Sequence, residues 1–162
     1  MIVVGIDLGV TGAVSAVDSR GSAVVRDLPI VEDAKGKRLD SRAFLNLLRE
    51  LVPIGEAGRV ITEDVRVRQV AGRAMSHSTE TTLVGLRFAV QSVVDIARLE
   101  LDVVQPQTWK RHYGIKDDKT GAKARELATR LYPVQSHYFK RAKDHNRAEA
   151  LLIAHYGQKV NA

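Results

Sequence analysis

Residues 2–8, Ile-Val-Val-Gly-Ile-Asp-Leu, form an apolar run that holds a single carboxylate. The run does not alternate between apolar and polar residues, so it reads as a strand covered on both faces, in the middle of a sheet and not at its edge. A strand of this kind demands packed layers above and below. It also demands something for Asp7, because an unpaired buried carboxylate costs several kcal/mol. A cation, a hydrogen-bond cluster or a metal must meet it.

The segments that follow supply the layers. Gly9–Gly12 and Ser19–Gly21 read as turns, so strands over about 12–18 and 22–28 continue the first into an antiparallel meander. The polar stretch from Pro29 to Arg38 reads as a loop. Asp40 or Ser41 then caps a helix over about 42–52 that points Phe44, Leu45, Leu47, Leu48 and Leu51 inward. After the break at Pro53–Gly58, residues 59–64 form a fourth strand ending in Glu63, which delivers that acid to the edge of the sheet where open α/β folds keep their chemistry. Val65–Ser78 reads as a loop beside the acids, and its Arg66, Arg68 and Arg73 could steer phosphate. The longest helix spans Thr79–Leu99, with an apolar stripe wide enough for both the core and a second subunit. A fifth strand, Leu101–Gln105, stops at Pro106, and a helix over about 122–132 ends at Tyr132-Pro133.

The chain closes on Lys143–Tyr156. From Ala148 onward this segment is too apolar to face water all round, so it predicts a helix packed on the core with Glu149 looking outward from its first turns. His145 stands one turn before Glu149, and Asp144 can reach the same point from the cap position. Asp7, Glu63 and this trio are far apart in the chain, yet they can meet if the first and fourth strands are neighbours.

Composition narrows the chemistry. The 162 residues predict one domain over 1–162, and the absence of cysteine excludes disulfides and thiolate zinc, leaving oxygen and imidazole to hold any metal. No signal-peptide pattern and no apolar run of roughly 18 residues is present, which predicts a soluble intracellular protein without a membrane partner. The net charge is +6, and between Pro106 and Arg147 eleven basic residues face four acids. That surface suits a polyanion such as nucleic acid, with Lys110, Arg111, Lys116, Lys123, Lys140, Arg141 and Lys143 as its candidate contacts.

The element order looks like the ribonuclease H fold, an α/β architecture with a five-stranded mixed sheet, three antiparallel strands then two parallel, flanked by helices. GIDLGVTGA, VITED, QPQTWKRHYGI, KTGAKARELA, LYP and KDHNRAEALLIAHYG, in this order over about residues 2–157, resemble the RuvC-type Holliday-junction resolvases, most closely their phage-encoded members. The resemblance implies a structure-selective DNA endonuclease in the cytoplasm of a bacterium or phage-infected host, using two Mg²⁺ or Mn²⁺ ions and leaving 5′-phosphate ends. Asp7, Glu63 and Glu149 match the family's acids, and Lys119 its basic residue near the scissile phosphate. Where relatives place Asp or His three residues before the last acid, this chain has Asn146, so Asp144 is taken as the fourth ligand and His145 as a ligand or proton carrier. Hard oxygen donors suit such ions independently of the family.

A four-way junction has two equivalent strands to cut, which calls for a two-fold homodimer, with helix 79–99 as its contact. Two other classes fit parts of the sequence. One is a non-catalytic junction-binding module, disfavoured because clustered carboxylates without metal repel one another. The other is an actin-like or sugar-kinase-type ATP-binding fold, which GIDLGVTGA also resembles but which needs a second phosphate loop that this chain lacks.

Overall fold

The protein is represented by a computed structural model that describes residues 1–34, 36–64 and 77–160. Arg66, Arg68 and Arg73 lie outside the described residues.

Strands β1 (Ile2–Asp7), β2 (Ala13–Val17) and β3 (Ala23–Asp27) form the expected antiparallel meander. The next segment departs from expectation. Residues read as a loop form a hairpin, β4 (Ile30–Asp33) and β5 (Gly36–Leu39), paired from Ile30↔Leu39 to Asp33↔Gly36. Its apolar residues sit at the base, where Leu39 is buried, while the remainder is polar and solvent-facing, so the periodicity that marks a strand is missing. Helix α1 (Ser41–Leu51) follows, its start fixed by Asp40, whose carboxylate accepts the Ala43 N–H at 3.0 Å.

Strand β6 (Gly58–Glu63) runs parallel to β1, then come α2 (His77–Ile96) and β7 (Glu100–Val104), parallel to β6. Helix α2 ends three residues earlier than expected, at a turn that places Arg98 in the left-handed region at φ 58°. Helices α3 (Pro106–His112) and α4 (Ala122–Leu131), short 3₁₀ turns at Pro133–Phe139 and Ala142–Asp144, and α5 (His145–Val160) complete the chain. The described residues build one five-stranded mixed sheet in the order β3-β2-β1-β6-β7, with β1 at its centre. Among them no helix is long and apolar enough to cross a membrane.

The side-chain period of two divides the sheet into its two cores. Val4, Ile6, Val14 and Val60 face α1 and α2, whereas Val3, Val17, Val25 and Ile61 face α3, α4 and α5. Helix α5 lies directly on β1. Gly5 makes this possible, since a Cβ there would strike the backbone of Ala150 and Ala154.

Candidate active site

Register and pleat decide where the acids go. Strands β1 and β6 are parallel neighbours paired through Ile6↔Thr62, so Asp7 and Glu63 leave adjacent strands at the same carboxyl edge. Both fall on the parity of Val3, Gly5 and Ile61, the face covered by α5. Glu149 comes to that face from the first turns of α5. It is 9% exposed, so the expectation that it looks outward is corrected: the close seating of α5 on Gly5 draws its first turns over the sheet edge.

Glu63 and Glu149 both act on Asp7. Burial lifts the Asp7 carboxyl well above its ordinary value, and repulsion from Glu63 and then Glu149 lifts it further, while the Lys110 ammonium opposes them. This is the electrostatic signature of carboxylates gathered with too little positive charge between them.

Two side chains of α3 complete the cluster. Strand β7 ends at Val104, opposite Glu63, so the helix begun by Pro106 rises from the same sheet edge. Trp109, fully buried, donates its indole N–H to Glu63 Oε1 at 2.6 Å. Lys110 Nζ donates to Glu149 Oε1 at 2.9 Å and stands 5.1 Å from the centre of the Trp109 ring. Lys110 was expected on an exposed DNA-binding surface; its side chain is instead 19% exposed, among the acids. Neither residue was expected in the acidic centre. The legible signal was their position, five and six residues after a strand whose carboxyl end shares the edge of Glu63.

Asp144 is engaged elsewhere. Its carboxylate is buried and both of its oxygens accept from Arg141, through the backbone N–H at 2.9 Å and the guanidinium at 2.8 Å, with Arg147 at 3.5 Å. These bonds hold the Asp144 carboxyl below its ordinary value, Arg141 contributing most. It closes the turn that launches α5. Arg147 also grips Asp27 at 2.6 and 2.7 Å, tying that turn to β3. His145 sets Nδ1 3.0 Å from the Ala142 carbonyl and packs on Gly121, where a Cβ would collide with it. Asn146 donates to the Thr11 carbonyl at 2.7 Å, so α5 and the loop after β1 are joined beside the acids.

Lys119 is exposed on the loop between α3 and α4. Asp118 on that loop caps α4 by accepting the Ala124 N–H at 2.9 Å, and it feels the charge of Lys110, which brings the loop alongside the acidic centre. Arg111, Lys116, Lys123, Lys140, Arg141 and Lys143 are exposed. Of these, Arg141 and Lys143 line a cleft with Thr11, His145 and Asn146.

Asp7, Glu63 and Glu149 offer the hard, anionic oxygen donors that Mg²⁺ or Mn²⁺ prefers, and the repulsion among them is what such a cation relieves. As the side chains stand, among the described residues no three His, Asp or Glu groups are arranged to hold an ion. Trp109 and Lys110 each hold one carboxylate oxygen, of Glu63 and Glu149 respectively.

No protein-family model and no curated protein matches the chain. Among solved structures it is similar to Thermus thermophilus RuvC in complex with a Holliday-junction substrate, at 16% identity and TM-score 0.61, over 99% of this chain and 96% of that one. A second Thermus thermophilus RuvC structure aligns at 14% identity and TM-score 0.55, over 99% and 97% of the two chains. The yeast mitochondrial Holliday-junction resolvase Ydc2 aligns at 15% identity and TM-score 0.59, over 97% of this chain and 77% of that one. The chain therefore has the fold of the RuvC-like resolvases, a ribonuclease H-like mixed sheet flanked by helices.

Proposed function

We propose that this chain is a metal-dependent endonuclease that nicks branched DNA, four-way junctions first among its substrates, and leaves 5′-phosphate ends. The observation that carries the reading is the convergence of Asp7, Glu63 and Glu149, from β1, β6 and α5, into one electrostatically coupled group at the carboxyl edge of the sheet. Two structural neighbours support the substrate: one is bound to a Holliday junction and another is named as a resolvase of such junctions.

In this reading Asp7, Glu63 and Glu149 would together hold the divalent ions. Bound there, the ions would activate a water and stabilise the leaving 3′ oxygen of an in-line displacement. Asp144 is left outside the ligand set because Arg141 occupies both of its oxygens. His145, held by the Ala142 carbonyl, is assigned the transfer of a proton, and Lys119 the offsetting of charge on the phosphorane, where one cation is worth roughly 3–4 kcal/mol. Arg141 and Lys143, on the cleft with Thr11 and Asn146, and the exposed Arg111, Lys116, Lys123 and Lys140 bind phosphates of the junction arms.

Symmetric cutting needs two such centres. We assign the two-fold contact to α2, which exposes Val84, Phe88 and Ile96, with Phe88 66% exposed.

The test is cleavage of an end-labelled four-way junction and of a linear duplex with the same arms, with Mg²⁺ or Mn²⁺. Paired nicks near the branch point, ending in 5′-phosphates and absent from the duplex, are expected. Equal cutting of both substrates, or none, would overturn the assignment.

A further inference from the structure

The acidic centre holds a cation of its own. Lys110 reaches into it from α3 and ends 2.9 Å from Glu149 Oε1, with 19% of its side chain and 11% of that of Glu149 exposed. The ammonium is backed by the indole face of Trp109, 5.1 Å away, the side from which an aromatic ring attracts a cation. Among the described groups that act on Asp7, Lys110 alone is positive.

We infer that the Lys110 ammonium is a resident substitute for the divalent cation, so that metal binds the centre only by displacing Lys110 from Glu149. The inference rests on the reading of Asp7, Glu63 and Glu149 as metal ligands.

Three features carry it. First, the ammonium and a divalent ion compete for the same carboxylate, because Lys110 donates to Glu149 Oε1 and Glu149 is one of the acids read as metal ligands. Second, their charges repel. An ion drawn to Asp7 and Glu149 meets a positive head within bonding distance of Glu149, partly shielded from water, where repulsion is poorly screened. Third, lysine is suited to leaving. Its ammonium is a point charge on a flexible four-carbon stem, and it holds one carboxylate oxygen without the two-pronged grip of a guanidinium. A competitor built into the site lowers the apparent affinity for metal by the fraction of molecules whose site is free, and so sets the cation concentration at which the protein loads.

The sign of one substitution separates this role from a structural one. If Lys110 only scaffolds the acids, its removal disorders them and weakens metal binding. If it competes with metal, its removal tightens metal binding even as it destabilises the metal-free protein.

The experiment is titration of the full-length, DNA-free protein with Mn²⁺, followed by electron paramagnetic resonance of free Mn²⁺, for wild type, Lys110→Met and Lys110→Arg. Lys110→Met should bind Mn²⁺ about tenfold more tightly than wild type, the equivalent of losing a site occupied about nine-tenths of the time. Lys110→Arg, which keeps the charge and can grip Glu149 with two N–H groups, should bind more weakly. Equal or weaker binding by folded Lys110→Met overturns the inference.

A second measurement needs no variant. Acetylation of Lys110 in wild type, followed by mass spectrometry against the other lysines, should accelerate at least about fivefold when Mn²⁺ is added, as the amine leaves its carboxylate. An unchanged rate in Mn²⁺-bound protein also overturns the inference. Failure of the parent reading looks different: wild type and both variants would bind no Mn²⁺ at all.

Discussion

The indole N–H of Trp109 donates to Glu63 Oε1 across 2.6 Å, from a ring that is wholly buried. Glu63 ends β6 and could rotate about its side-chain bonds, but this donor fixes one oxygen and so sets the direction of the other. Trp109 is a positioning residue in this account. Trp109→Phe keeps an aromatic ring in the core and removes the donor. A hydrogen bond to a charged group contributes about 1.5–3 kcal/mol. If the loss falls on the transition state, kcat should drop roughly 10- to 100-fold, while the Kd for a four-way junction stays within error. A loss of junction binding with kcat unchanged would assign Trp109 to the DNA surface instead.

Asp7→Asn should abolish cleavage, by more than about a hundredfold given the charge stabilisation lost, with junction binding still measurable. Its effect on stability follows from the raised Asp7 carboxyl. A carboxyl whose folded value lies above its unfolded one favours the fold at pH below the unfolded value, near 3.9, and loses that contribution as pH rises through the folded value. In a chelator, Asp7→Asn should therefore melt at a higher temperature than wild type near neutrality, and the gap should close as the solution is acidified. A gap that widens toward acid contradicts the electrostatic account.

Asp144→Asn separates the capping role from the ligand role expected from sequence. The Asp144 carboxyl is held low by Arg141, so its contribution to stability is present above the unfolded value near 3.9 and lost as pH falls through the folded value. The variant should melt below wild type at pH 7, the two should converge below about pH 4, and Mn²⁺ affinity should be unchanged. Weakened Mn²⁺ binding with normal stability would restore Asp144 to the ligand set.

Much of this was legible in the chain itself. The apolar run around Asp7 foretold a central strand, and the parallel pairing of β1 with β6 then follows once Glu63 is brought to the same edge. The hairpin at Ile30–Leu39 was not legible, because only its base is apolar and its strands are short. Asp144 was legible as an acid at the start of α5, but its pairing with Arg141 was not. Its neighbours Arg141 and Arg147 are three residues away on either side, a spacing that suits a capping turn as well as a ligand set. Lys110 was counted with the exposed cations since a basic residue in a basic segment reads as surface. Only the direction of α3, set by where β7 ends, turns it toward Glu149.

Phe88 lies exposed on α2, close to Val84, and a large exposed apolar side chain beside others marks a contact surface. Phe88→Asp should convert a dimer into a monomer in sedimentation at micromolar concentration, and should reduce paired nicking of a junction more than single nicking. Wild type sedimenting as a monomer would remove α2 from the account.

A crystal soaked in Mn²⁺ and measured by anomalous scattering at the manganese edge tests the nuclease reading most directly. Strong peaks bounded by Asp7, Glu63 and Glu149, with Lys110 moved off Glu149, are the expected result. Full soaking with no peak among these three carboxylates, or with Lys110 still bonded to Glu149 beside a bound ion, would contradict it.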